Sequence, residues 1–120
     1  MTDFENIIRD YWPFIVVAVW FIYKQWNSNR VIKMLPSLRS QGAIEIDVRS
    51  IAEFSQDNAV GTINIPLNEL GTSLNKISRK HPVVLCCASG TRSGMAKMLL
   101  LKNGYKNVYN VGAWTNLIKP

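Results

Sequence analysis

The chain has 120 residues, 48% of them hydrophobic, and a formal net charge of +6. That length holds one domain with a core of its own. Its two cysteines, adjacent at positions 86 and 87, exclude a disulfide-stapled scaffold, because neighbours cannot close a useful loop. A single histidine and the lack of any Cys-x-x-Cys leave no metal-ligand cluster, and free thiols persist best in a reducing compartment. No basic stripe is interleaved with aromatics, so no nucleic-acid partner is expected; the positive charge points to small anions or acidic lipid.

Charge and hydrophobicity are unevenly placed. Up to Tyr23 one arginine faces three carboxylates, whereas the remainder carries 13 basic and 5 acidic residues. Residues 11–23 (YWPFIVVAVWFIY) hold no charge and present no polar face. A helix apolar all round seeks lipid or a large core, so a transmembrane helix is expected over about residues 10–26. Thirteen residues make only about 20 Å of helix, against about 30 Å of hydrocarbon. Ile7 and Ile8, a snorkelling Lys24, and interfacial Tyr11, Trp12, Tyr23 and Trp26 are expected to make up the difference. With Asp10 as the cap, Pro13 would fall in the first turn, where proline is tolerated. The acidic front end and the absence of an A-x-A site favour an uncleaved anchor over a secretory signal. Lys24, Arg30 and Lys33 then place the C-terminal domain on the cytoplasmic side of the cell membrane, in a single-pass arrangement with membrane lipid as the helix's partner. Residues 1–26 are thus read as the anchor segment, 27–32 as a polar linker and 33–120 as the folded domain.

Within that domain, residues 43–48 (AIEIDV) alternate as a strand and 49–54 suggest a helical turn. Residues 62–65 (TINI) form a second short strand stopped by Pro66. Leu67, Leu70, Leu74 and Ile77 recur at helical spacing, weakened by Gly71. The apolar run from Val83 to Cys87 reads as a central strand. Met95, Met98 and Leu99 mark the apolar side of a helix that Asn103-Gly104 ends. Residues 107–111 make a last strand, with Gly112 turning the chain. Strands alternating with helices, without hairpin signals, imply an α/β fold: a parallel sheet with helices on both faces. Ligands bind such sheets at the C-terminal strand ends, where Asp47 and Cys87 fall.

Cys87-Ala-Ser-Gly-Thr-Arg92 is built to hold an anion. Ala88, Ser89, Gly90 and Thr91 are slim, so the backbone can curl with its N–H groups inward, and Gly90 can take positive φ freely. Arg92 closes the loop with a fixed charge, and a helix beginning near Arg92 or Ser93 adds its dipole. Each feature favours a thiolate at Cys87. A histidine base is excluded, since His81 lies six residues back along the strand, about 20 Å away. Cys86 should point to the opposite sheet face as a small core residue. Cysteine-dependent phosphatases have a related loop with one residue more between cysteine and arginine than the four found here. The smaller cradle suits a sulfur atom.

The ordered set Ile46-Asp-Val-Arg-Ser50 with Glu53-Phe54, Gly61-Thr-Ile-Asn-Ile-Pro66, Cys87 to Ser93, Gly104-Tyr-Lys-Asn-Val108 and Gly112-Ala113 resembles a single-domain rhodanese, over about residues 31–117. The resemblance implies the rhodanese-like sheet and a double-displacement sulfurtransferase. Cys87 would take sulfane sulfur from thiosulfate or a low-molecular-weight persulfide, and a thiol, protein cysteine or cyanide would remove it. It further implies Arg92 as the second catalytic residue, Ala88, Ser89, Gly90, Thr91 and Ser93 as the substrate-binding loop, and no metal or organic cofactor. Ala88 stands where many relatives carry a basic residue, which puts donor choice in question. Asp47 and Arg49 belong to the same landmark but are expected to hold the sheet edge, with Glu53 as their partner. Two other readings stay open: a non-catalytic membrane adaptor, and a sulfur-carrier or redox relay using a Cys86–Cys87 disulfide.

Overall fold

A computed structural model describes residues 2–118. One long helix, α1 (Thr2–Ser40), precedes β1 (Ile44–Asp47), α2 (Ile51–Gln56), β2 (Ile63–Asn64), α3 (Leu67–Leu70), β3 (Val83–Cys87), α4 (Thr91–Lys102) and β4 (Val108–Ala113). Short 3-10 turns come after α3 at Leu74–Lys76 and after β4 at Trp114–Leu117. The strands form one parallel sheet in the order β2-β1-β3-β4. β3 is buried throughout, as a strand covered on both faces should be.

Side-chain alternation along β3 divides the core in two. Val83, Leu85 and Cys87 join Ile46, Leu70, Ala96 and Leu100 on the face covered by α3 and α4. Val84 and Cys86 join Val31, Leu35, Leu38, Val111 and Leu117 on the face covered by α1. One residue of strand therefore moves a cysteine from one core to the other. Each buried Leu or Val adds about 1.5–3 kcal/mol of transfer free energy, so neither face is dispensable.

The helical spacing of Leu67, Leu70, Leu74 and Ile77 yields two pieces, with α3 stopping at Gly71 and the 3-10 turn taking up again at Leu74. Glycine's backbone freedom and the short reach of both pieces explain the break. β4 passes through Gly112 to Ala113 instead of turning there, with a register shift opposite Leu85 and Cys86. Gly112 has φ +88°, and a Cβ at that position would lie 2.5 Å from Ser28 Oγ on α1. Close packing of helix on strand, more than a turn, demands that glycine.

The N-terminal expectations need three corrections. Residues 27–32 are continuous helix and not a linker. Asn27, Val31, Leu35 and Leu38 are the buried residues of α1, spaced so that they share one side of the helix and seat its second half on the sheet. Pro13 lies well inside the helix, which starts at Thr2, so Asp10 does not cap it and the proline forgoes one backbone hydrogen bond. Finally, among the described residues no helix is long and apolar enough to cross a membrane. Asp10 and Lys24 bound an uncharged stretch of 13 residues, and its Tyr, Trp and Pro members dilute its hydropathy. The first half of α1 is nevertheless exposed throughout, with Phe14 71% and Ile22 69% exposed.

Candidate active site

β3 delivers Cys87 to the C-terminal edge of the sheet, and α4 begins four residues later at Thr91. Gly90 links them with φ +98°. A Cβ there would sit 3.1 Å from Gly112 Cα and 3.4 Å from Lys24 Cε, so glycine is required both by conformation and by space. The resulting loop turns polar hydrogens toward the sulfur. Gly90 N–H donates to Cys87 Sγ at 2.9 Å, and the Ser93 hydroxyl lies 3.3 Å from the same atom.

Electrostatics separate the two cysteines. Burial pushes the Cys87 thiol up, but the Ser93 hydroxyl and the N–H groups of Ser93, Ser89 and Gly90 outweigh it and hold the thiol below its ordinary value. Cys86 is pushed well above its ordinary value, first by burial and then by the charge of Asp47. Both are free thiols. Hydrogen bonding to the charged form, and not exposure, makes Cys87 the more readily ionised of the two.

Arg92 does not reach freely over the loop. It forms a bidentate pair with Glu53, Nη1 to Oε1 at 2.7 Å and Nη2 to Oε2 at 3.0 Å. Glu53 is also the capping-box residue of α2, accepting from Ser50 N–H while Ser50 Oγ accepts from Glu53 N–H. The Arg92 guanidinium, seconded by the two Ser50 bonds, holds the Glu53 carboxyl down at about 2. Arg92 and Ser50 nonetheless line a surface hollow of about 350 Å³ with Val48, Pro66, Leu67 and Asn68.

The expected partnership of Arg49 with Glu53 is replaced by another. Arg49, nearly buried, pairs with the fully buried Asp47 at 2.7 Å and donates to the Asp57 carbonyl at 2.8 Å. Its guanidinium also lies 4.8 Å from the centroid of the Trp114 ring. Asn64 Nδ2 donates to the carbonyls of Asp47 and Arg49, which ties β2 to the end of β1. This cluster braces the strand ends beside the loop.

Three contributors are not legible in the sequence. Glu53 meets Arg92 and not Arg49, because sequence spacing cannot tell which of two nearby guanidiniums a carboxylate reaches. Asn110 of β4 accepts from Ser93 Oγ and from Gly112 N–H, and donates to the Gly90 carbonyl. A polar residue inside an otherwise apolar strand is the only available hint. Lys24 Nζ lies 3.2 Å from Thr91 Oγ1 and 4.3 Å from the Trp20 ring centroid. α1 thus sets a cation against the rim of a loop 67 residues away, on a chain whose Ala88 supplies none. Among the described residues no group of three or more His, Cys, Asp or Glu could hold a metal ion.

A parallel sheet with an amide-lined cysteine at its edge defines a class, and comparison with known proteins identifies it. The rhodanese-like domain family matches residues 31–117, and the chain belongs to that family. It is 42% identical to the protein YqhL of Bacillus subtilis strain 168, over 82% of this chain and 81% of that protein. It is 34% identical to the thiosulfate sulfurtransferase PspE of Escherichia coli K12, over 62% of this chain and 74% of the relative. The solved structure of a rhodanese from E. coli superposes with a TM-score of 0.60 at 32% identity, covering 65% of this chain and 94% of that one. Lys24 and Asn27 lie outside the residues that the family model matches, so their contacts join α1 to the family domain from beyond it.

Proposed function

We propose that the chain is a sulfurtransferase working through a Cys87 persulfide. The observation that carries this reading is the convergence of Gly90 N–H and Ser93 Oγ on a buried, downshifted Cys87 sulfur. The thiolate attacks the outer sulfur of thiosulfate or of a low-molecular-weight persulfide. The donor's S–S bond breaks, its electron pair leaves with sulfite or the donor thiolate, and a Cys87–S–S⁻ persulfide remains. Loop amides from Ala88 to Ser93 hold the terminal anion. A thiol, a protein cysteine or cyanide then attacks that terminal sulfur, and the bonding pair returns to Cys87 Sγ.

Arg92, neutralised by Glu53, fixes the start of α4 against α2 and lines the hollow beside the loop. Lys24 adds positive potential at the rim, which suits anionic donors. Asp47 and Arg49 hold the strand ends. No cofactor takes part in these steps. We further propose that the exposed apolar half of α1 attaches the domain to the cell membrane, with the domain on the cytoplasmic side. Exposed apolar residues such as Phe14 and Ile22 support it, as do Arg30 and Lys33 at its inner end, which suit an anionic leaflet.

Intact-mass measurement after exposure to thiosulfate, and separately to glutathione persulfide, tests the chemistry. One added sulfur on the wild-type chain, absent from Cys87→Ser, is the expected result. Loss of two hydrogens would indicate a Cys86–Cys87 disulfide relay instead, and no change with either donor would indicate a non-catalytic adaptor. Co-flotation of the full chain with anionic vesicles tests attachment, and its loss on deleting residues 2–23 is expected.

A further inference from the structure

Ser93 stands between two acceptors. Its Oγ is 3.3 Å from Cys87 Sγ and 2.7 Å from Asn110 Oδ1, and a hydroxyl has one proton to donate. The orientation of the Asn110 amide is fixed by its other partners. Gly112 N–H points at Oδ1 at 3.0 Å, and Nδ2 points at the Gly90 carbonyl at 3.0 Å. Reversing the amide would set donor against donor and acceptor against acceptor. Oδ1 can therefore only accept, and it competes with the sulfur for the Ser93 proton. Strand alternation sets Asn110, paired with Leu85, on the α4 face, and the register shift that follows it brings Gly112 opposite Cys86. Asn27 Nδ2 holds the Asn110 backbone carbonyl at 3.0 Å from α1.

We propose that Ser93 and Asn110 form a one-proton switch, in which the Ser93 hydroxyl donates to Asn110 Oδ1 while Cys87 Sγ is uncharged and turns to Sγ when the sulfur carries charge. Asn110 is the positioning residue of this pair. In the thiol state the Cys87 S–H can donate to Ser93 Oγ, completing a chain that runs Cys87 to Ser93 to Asn110. On ionisation the thiol proton leaves to solvent and the Ser93 hydroxyl rotates to the sulfur, giving up Asn110. The Ser93 proton itself never leaves its oxygen.

Resting on the sulfurtransferase reading, the same rotation recurs in turnover. Once Cys87 carries an outer sulfur, Sγ is a neutral disulfide-type atom and the hydroxyl returns to Asn110. When an acceptor removes the outer sulfur, the S–S pair collapses onto Sγ and the hydroxyl turns back. Other groups bear on the same sulfur: Arg92 with Glu53 from the starts of α4 and α2, Asp47 with Arg49 at the end of β1, the neighbouring Cys86, and Lys24 at Thr91. Neither Asn110 nor Ser93 changes charge, so exchanging them leaves that field in place.

The switch gives opposite signs for two exchanges that a purely structural role would move the same way. Thiolate absorbance, titrated against pH in the full chain carrying Cys86→Ser, reads Cys87 alone. Ser93→Ala is expected to raise the ionisation midpoint, and Asn110→Ala to lower it, each by about 0.5–1 pH unit. In the Ser93→Ala background, Asn110→Ala is expected to add no downward shift. A rise or no change on Asn110→Ala alone, or an equal fall with and without Ser93, overturns the switch. Should Asn110→Ala fail to fold, the near-isosteric Asn110→Leu is read by the same criteria. The titration needs no turnover, so a chain that accepts no sulfur would refute the proposed function while leaving this result to stand or fall separately.

Discussion

Two faces of one strand meet at Cys86 and Cys87. On the α1 face, Cys86 is packed among Val31, Val84 and Val111, and the charge of Asp47 nearby further disfavours its ionisation. On the α4 face, Cys87 is almost equally buried, yet Gly90 N–H and Ser93 Oγ point at its sulfur. Burial is nearly the same, yet one thiol is pushed up and the other held down. What separates the two thiols here is the supply of donors.

The largest test of that contrast is exchange of each sulfur. Cys87→Ser is expected to abolish sulfur transfer, while Cys86→Ser keeps it within about twofold per folded chain, because Cys86 faces the opposite core and its buried hydroxyl lowers stability instead. Thiosulfate–cyanide turnover of the purified chain measures both, and equal loss would erase the distinction. Removing a donor comes next. Gly90→Ala forces φ +98° on a residue with a Cβ that meets Gly112 Cα at 3.1 Å. Left-handed strain alone costs about 1–2 kcal/mol, and a displaced N–H weakens the thiolate further. Transfer is expected to fall at least about tenfold, with a lower melting temperature, read by turnover and thermal unfolding.

The brace around the loop gives a smaller, pH-marked effect. The Glu53 carboxyl titrates at about 2 in the folded chain, below its unfolded value. Its stabilising contribution is therefore complete above the unfolded carboxylate range and is lost as pH falls toward 2. Glu53→Gln should unfold at lower denaturant than wild type at neutral pH, and the gap should close progressively on acidification. A gap independent of pH would mean that the Arg92 pair contributes nothing through charge.

How much of this is readable from the sequence tracks the range of the interactions. Strand alternation is local, so the opposite facing of Cys86 and Cys87 and the parallel sheet are legible from residues 43–48 and 83–87. The slim loop with Gly90 is legible for the same reason. Contacts that cross the fold are not. Arg92 and Arg49 both lie within reach of α2, and only the folded chain shows that Glu53 takes the first while Asp47 takes the second. Asn110 acquires its role from Ser93, Gly90 and Gly112, contacts that no local pattern announces. The N-terminal segment misleads in another way: its all-round hydrophobicity suggests a span, although Asp10 and Lys24 leave too short an uncharged run between them. Helicity through residues 27–32 is hidden because the polar residues there conceal Asn27 and Val31, which seat α1 on the sheet.

The most direct test is the ionisation of Cys87 itself, tracked by thiolate absorbance in the full chain carrying Cys86→Ser. The hydrogen bonds at the sulfur predict a midpoint below the ordinary thiol value of about 8.5, with sulfur acceptance rising through the same pH range and then levelling. A midpoint at or above that value, with acceptance still climbing beyond it, would contradict the claim that donated hydrogens make this cysteine a nucleophile.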